Sequence, residues 1–84
     1  MFLIVWSDEA FAQMTGIVGR HTARKSELAG ALRRIADELS RNPASVGESR
    51  DDDFRIMFAR PLTVYFRVDD ETTSVEVARV VLTG

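Results

Sequence analysis

Eighty-four residues with 45% apolar side chains and a formal net charge of −2 describe one small folded domain, residues 1–84, and exclude a disordered chain. No cysteine is present, which excludes a disulfide framework and a thiolate metal site and fits a reducing cytoplasm. A domain this small buries roughly 60–65% of its unfolded surface, so a partner or self-association would add to its stability.

The first element is the apolar run Phe2–Trp6. It is rich in β-favouring residues and reads as a strand covered on both faces. It is too short and lacks the basic start for a signal peptide or membrane span. Ser7 is placed to cap a helix, with Asp8 and Glu9 in the first turn where the helix dipole favours acids. Ala10, Phe11, Met14, Ile17 and Val18 form its apolar stripe, and Gly19 is the expected C-cap. A second helix is predicted from Thr22 to Arg41, with Leu28, Ala29, Leu32, Ile35, Ala36 and Leu39 recurring at three- and four-residue steps. Asn42-Pro43 ends it, because the residue before proline is pushed out of the helical region.

Residues 44–53 read as a polar loop. Three strands follow, Phe54–Ala59, Leu62–Val68 and Val75–Leu82, joined by Arg60-Pro61 and the turn Asp69–Thr73. The order β-α-α-β-β-β predicts an α+β fold, a helical hairpin on one face of a mostly antiparallel sheet. Alternation places Phe54, Ile56 and Phe58 opposite Arg55, Met57 and Ala59, and Leu62, Val64, Phe66 and Val68 opposite Thr63, Tyr65 and Arg67. Arg55 and Arg67 are therefore expected together on the polar face, with Tyr65 beside them.

The strands and their approaches carry Arg50, Arg55, Arg60, Arg67 and Arg79, with no histidine, cysteine or lysine among them. Planar guanidinium groups grip phosphate or carboxylate well. Two uses fit: ion pairing with Glu48, Glu76 and the loop acids, or a cationic surface that holds phosphate and offsets charge in a transferred group. Composition and spacing favour the first. Tyr65 fits either a base-stacking platform or a half-buried strand aromatic. Arg50 is positioned to fold back with Glu48 as its partner. Arg24 and Lys25 lie on a cationic helix face, which serves as a solvated surface or as a dock for a partner. His21 stands alone, no metal-ligand cluster or phosphate-cradling glycine loop is present, and the serines lack a nearby base, so no cofactor or metal is expected.

The whole pattern resembles the RelE/ParE family of toxins. The resemblance runs from Val5-Trp6-Ser7-Asp8-Glu9-Ala10 through Leu32, Ile35, Leu39 and Asn42-Pro43. It continues through the glycine–arginine loop Gly47–Arg50, Phe54-Arg55-Ile56, Val64-Tyr65-Phe66-Arg67-Val68-Asp69 and Val75-Glu76-Val77-Ala78-Arg79-Val80. It implies a compact cytoplasmic protein wrapped by an antitoxin. One branch of the family cleaves messenger RNA on the ribosome, and the other poisons DNA gyrase. The resemblance matches Arg55 to a basic position on the strand after the loop, and Arg50 to the loop itself. Thr63 stands where an arginine is usual, and Val81-Leu82-Thr83-Gly84 replaces a histidine- or arginine-bearing tail. The sequence pI of about 5.3 also suits a ribosome ligand poorly.

The sequence thus points to a toxin, or a divergent relative, that binds its target rather than cutting it. Loss of general acid–base help would cost a nuclease about 10²–10⁴-fold. In the enzymatic alternative, a ribosome-dependent endoribonuclease, Arg50 and Arg55 would hold phosphate, Arg67 or Arg79 would offset charge, and Tyr65 would stack a base. A non-toxic interaction module that binds a peptide or a second copy of itself is the other alternative. Arg60, Arg24 and Lys25 complete the candidate binding residues. An antitoxin is the expected partner, with ribosome-bound RNA or DNA gyrase as target, no membrane association, and a homodimer within reach.

Overall fold

A computed structural model describes residues 1–43, 48–49 and 54–84. Strand β1 (Leu3–Trp6) leads into helix α1 (Asp8–Arg20), a 3-10 turn (Thr22–Arg24) and helix α2 (Lys25–Arg41). The strands β2 (Glu48–Ser49), β3 (Phe54–Ala59), β4 (Leu62–Asp69) and β5 (Ser74–Leu82) follow. The sheet order is β1-β5-β4-β3-β2, with β1 parallel to β5 and every other pair antiparallel. This is the expected α+β arrangement of two helices on a mostly antiparallel sheet, except that the short strand β2 lies within the stretch 44–53 expected to be a loop.

Local chemistry fixes the helix ends. The Ser7 side chain accepts a bond from the Ala10 N–H at 3.0 Å, and its hydroxyl donates to the Ala78 carbonyl at 3.2 Å. One serine therefore caps α1 and ties it to β5. The far end differs from expectation. Helix α1 runs past Gly19 to Arg20, and His21 is the cap, its N–H bonded to the Val18 carbonyl. A 3-10 turn then carries the chain round, so no left-handed glycine is needed. The same turn delays α2 to Lys25. Helix α2 stops where expected, with the Asn42 N–H on the Glu38 carbonyl and a buried Pro43 next.

The core lies between the helices and one face of the sheet. Helix α1 contributes Ala10, Met14 and Ile17, and α2 contributes Leu28, Ala31, Ile35 and Leu39. The expected α2 stripe shifts slightly: Ala31 is buried, whereas Ala29 and Ala36 are exposed. The sheet contributes Met57 and Ala59 from β3, Leu62, Val64 and Phe66 from β4, and Val75, Val77 and Val80 from β5.

Three facings differ from the sequence reading. The run Leu3–Trp6 is an edge strand with one open face: Leu3 is 67% and Val5 46% exposed. Phe11 is likewise 66% exposed, although it belongs to the apolar stripe of α1. On β3, Met57 and Ala59 face the helices, and Phe58 points away at 59% exposure. Directly opposed residues share a face. The pairs Arg55–Phe66 and Phe54–Arg67 therefore put Arg55 on the helix side and Arg67 on the other. The two arginines do not share a polar face.

Strand β5 carries a bulge. Tyr65 pairs with Arg79 but Phe66 pairs with Val77, leaving Ala78 extra. The bulge shifts the alternation by one residue, so Val75, Val77 and Val80 all reach the core. The same shift turns Arg79, which would otherwise follow Val75 and Val77 inward, to the open face beside Tyr65.

Candidate functional site

The open face of the sheet gathers the arginine and aromatic residues into two adjacent rows. One row is Phe54, Arg67 and Glu76, and the next is Ile56, Tyr65 and Arg79. The Arg67 guanidinium carbon lies 4.7 Å from the Phe54 ring centroid, and that of Arg79 lies 5.4 Å from the Tyr65 centroid. Each guanidinium is thus held over an aromatic ring by the attraction of a cation to the ring's negative face. Stacking holds the planar donor group in place and leaves N–H donors at its rim for an anion.

The rows differ in charge. Arg67 donates to Glu76 at 3.0 Å, with both side chains about half exposed. The ion pair expected with Glu76 is therefore present, and in that exposed setting it contributes roughly 0–1 kcal/mol. Arg79 has no carboxylate partner among the described residues. Among the described residues, its positive charge is left uncompensated on this face.

The remaining candidates lie elsewhere. Arg55 sits on the helix side of β3, is half-buried and has an interaction partner. Arg60 is exposed in the β3–β4 connection. Arg24 is held by Glu27, with Nε 2.7 Å from Oε1 and a second contact at 3.2 Å. That hydrogen bond keeps the Glu27 carboxyl below its ordinary range and raises the Arg24 guanidinium. Lys25 lines a groove on the helix side. The expected fold-back of Arg50 onto Glu48 lies outside the described residues. Among the described residues, no group of histidine, aspartate or glutamate is arranged to hold a metal, and no helix is long and apolar enough to cross a membrane.

Thr63 lies on β4, on the same face as Tyr65 and Arg67. It stands where the family resemblance puts an arginine, and it is 3% exposed with its hydroxyl 2.9 Å from that of Thr83. A buried hydroxyl must be paired, and Thr83 supplies the partner. The position is a structural tie between β4 and the segment after β5.

Sequence reasoning missed a second surface. An apolar groove of about 660 Å³ opens beside α1, lined by Trp6, Phe11, Met14, Val18 and Leu32, with Thr15, Thr22 and Lys25 at its polar margin. The signal was in the sequence: Phe11 and Val18 add width to a stripe whose core-facing residues are Ala10, Met14 and Ile17. It also missed Gln13, whose side-chain oxygen accepts the Val80 N–H at 2.7 Å and satisfies β5 beyond the end of β1.

Comparison with solved structures decides the fold. Over 96% of both chains this protein matches a chain of the toxin–antitoxin complex RelBE2 from Mycobacterium tuberculosis, with a TM-score of 0.76 and 23% identity. The fold is RelE/ParE-like. A chain of the chromosomal ParDE toxin–antitoxin system from P. aeruginosa matches over 100% of this chain and 98% of its own, with a TM-score of 0.70 and 16% identity. No protein-family model and no curated protein matches the sequence. The RelE/ParE-like architecture therefore holds while most side chains differ, and the chemistry must be read from this chain's own residues.

Proposed function

We propose that this RelE/ParE-like chain is the toxin of a toxin–antitoxin pair and inhibits growth in the cytoplasm by binding a target through the open face of its sheet. The observation that carries this reading is the pairing of Arg67 with Phe54 and of Arg79 with Tyr65 on one face. Two oriented guanidinium groups beside half-buried aromatics suit a target with anionic groups and flat apolar surface. An antitoxin is the second partner, as in the complexes that share the fold. The groove at Trp6, Phe11, Met14, Val18 and Leu32 supports that assignment, because it offers apolar area that an amphipathic segment of an antitoxin would bury.

Binding is favoured over RNA cleavage by three features. Thr63 is committed to a buried hydrogen bond, and Glu76, the carboxylate of the arginine rows, is engaged by Arg67. A general base must reach the proton it removes, and Glu76 would have to leave its partner to do so. Arg55, on the helix side, does not join Arg67 and Arg79 in a phosphate clamp.

Induced expression, with and without the product of the neighbouring reading frame, tests the reading. Growth arrest relieved by that product, with transcript ends unchanged, is the expected result. Codon-phased RNA cuts would replace binding with cleavage. Growth unaffected at full expression would leave a non-toxic interaction module.

A further inference from the structure

Strand β1 forms one edge of the sheet, and its free side is unusually plain. The Leu3 and Ser7 N–H groups donate to the Thr73 and Val77 carbonyls of the β5 side, each at 3.0 Å. Alternate residues of a strand bond to the same neighbour, so Val5 also turns toward β5. Ile4 and Trp6 then present their N–H and C=O groups to the open side. Phe2 faces that side too, but its N–H is taken by the Ser40 carbonyl at the end of α2, 2.7 Å away.

We infer that this edge joins two copies of the chain, paired antiparallel about a twofold axis at Val5. In that register Ile4 of each copy lies opposite Trp6 of the other. Each of these two pairs exchanges both backbone bonds, and Val5 meets Val5 in the closely spaced position between them. Leu3 lies opposite Ser7. Centring the pair on Ile4 would instead set Trp6 against Phe2, where Ser40 already sits. The carbonyl of Ser40 thus selects the register.

Four points favour a second copy as the occupant. The segment Leu3–Trp6 contains no charge and no proline, the usual protections of a free edge. Its side chains repeat their chemistry about Val5, aliphatic against aromatic on the helix side and valine against valine on the open face. An isologous contact also covers the β1 edge of both copies at once, so that contact closes on itself and does not propagate. Of the exposed large apolar side chains Met1, Leu3, Val5, Phe11 and Phe58, all but Phe58 lie on β1 or just beside it. The contact is small against the roughly 1,200–2,000 Å² of a stable interface, so the dimer is weak and concentration-dependent. The inference goes beyond the toxin reading and does not rest on it.

Sedimentation of the purified chain from about 1 µM to about 1 mM tests association, with the fluorescence of the single tryptophan, Trp6, as a second readout. Expected is a reversible monomer–dimer equilibrium. Val5→Lys sets two like charges opposite each other and raises the dissociation constant about tenfold or more. Phe58→Lys leaves the equilibrium unchanged. Because the chain has no cysteine, Val5→Cys and Leu3→Cys report the register directly. Under mild oxidation the Val5→Cys copies cross-link about tenfold faster than the Leu3→Cys copies, because only the former bring their Cβ atoms within disulfide reach. A monomer at every concentration would overturn the inference, as would an association untouched by Val5→Lys or equal cross-linking of the two thiols. An edge reserved for an extended segment of a different protein gives the first of those results.

Discussion

The two faces of the sheet do different work. The covered face is built from aliphatic side chains and Phe66, packed to near-zero exposure against α1 and α2. The open face carries half-buried Phe54 and Tyr65 and exposed Arg67 and Arg79, with a half-exposed ion pair between Arg67 and Glu76. Burial on the first face stabilises the fold, at about 25 cal/mol per Å² of apolar area. The second face gains little from its contacts and keeps its donors available. The contrast explains how a RelE/ParE-like shape persists at 16–23% identity: the covered face needs only apolar volume in the right pattern, while the open face is free to change its chemistry.

The largest expected effect breaks the covered face. Phe66→Ala leaves a cavity at the centre of the core, where Phe66 is fully buried, and should cost about 3–5 kcal/mol. Chemical denaturation measures it, and for a small domain that loss is a large fraction of total stability. A cost below about 1 kcal/mol would mean that the helices do not pack as described.

The cap of α1 comes next. Ser7→Ala removes both the bond from the Ala10 N–H and the bond to the Ala78 carbonyl. The expected loss is about 1–2 kcal/mol. Ser7→Asp separates the two functions: it keeps an acceptor for the helix but places a carboxylate against a carbonyl. It should therefore remain less stable than Ser7. Equal stability of the serine and aspartate forms would show that the tie to β5 contributes nothing.

The smallest effect lies at the surface pair Arg24–Glu27. The Arg24 hydrogen bond depresses the Glu27 pKa in the folded chain. The pair therefore contributes its stability above the unfolded carboxyl pKa and loses it as pH falls through the lower folded value. Glu27 is exposed and Arg24 only partly covered, so screening keeps the contribution small. Glu27→Gln should flatten the acid limb of a stability–pH curve only slightly, and should shift it less still at high salt. A large change would point to a role beyond the pair.

Much of the covered side was legible in the sequence. The large stripe residues Met14, Ile17, Leu28, Ile35 and Leu39, the Ser7 cap and the Asn42-Pro43 stop follow from local rules that packing did not override. The open side was harder to read. On β3 both alternating sets are apolar, Phe54-Ile56-Phe58 and Met57-Ala59. Periodicity gives two faces but does not choose which one meets the helices. The helices take the set with the small Ala59, which is fully buried, and Arg55 goes inward with it. On β5 the bulge at Ala78 has no strong sequence mark, so the outward turn of Arg79 emerges only from its pairing with Tyr65. The exposed Leu3 and Val5 were hidden for a similar reason: an uninterrupted apolar run reads as buried on both faces, whereas here it ends the sheet.

The division of labour between the faces is tested most directly by the double variant Arg67→Glu, Arg79→Glu, measured for growth arrest on induced expression and for thermal unfolding of the purified protein. We expect the arrest to disappear while the midpoint of unfolding stays within a few degrees of the parent, since both side chains are exposed and contribute little to the fold. Undiminished arrest at equal expression would show that the open face of the sheet does not carry the activity.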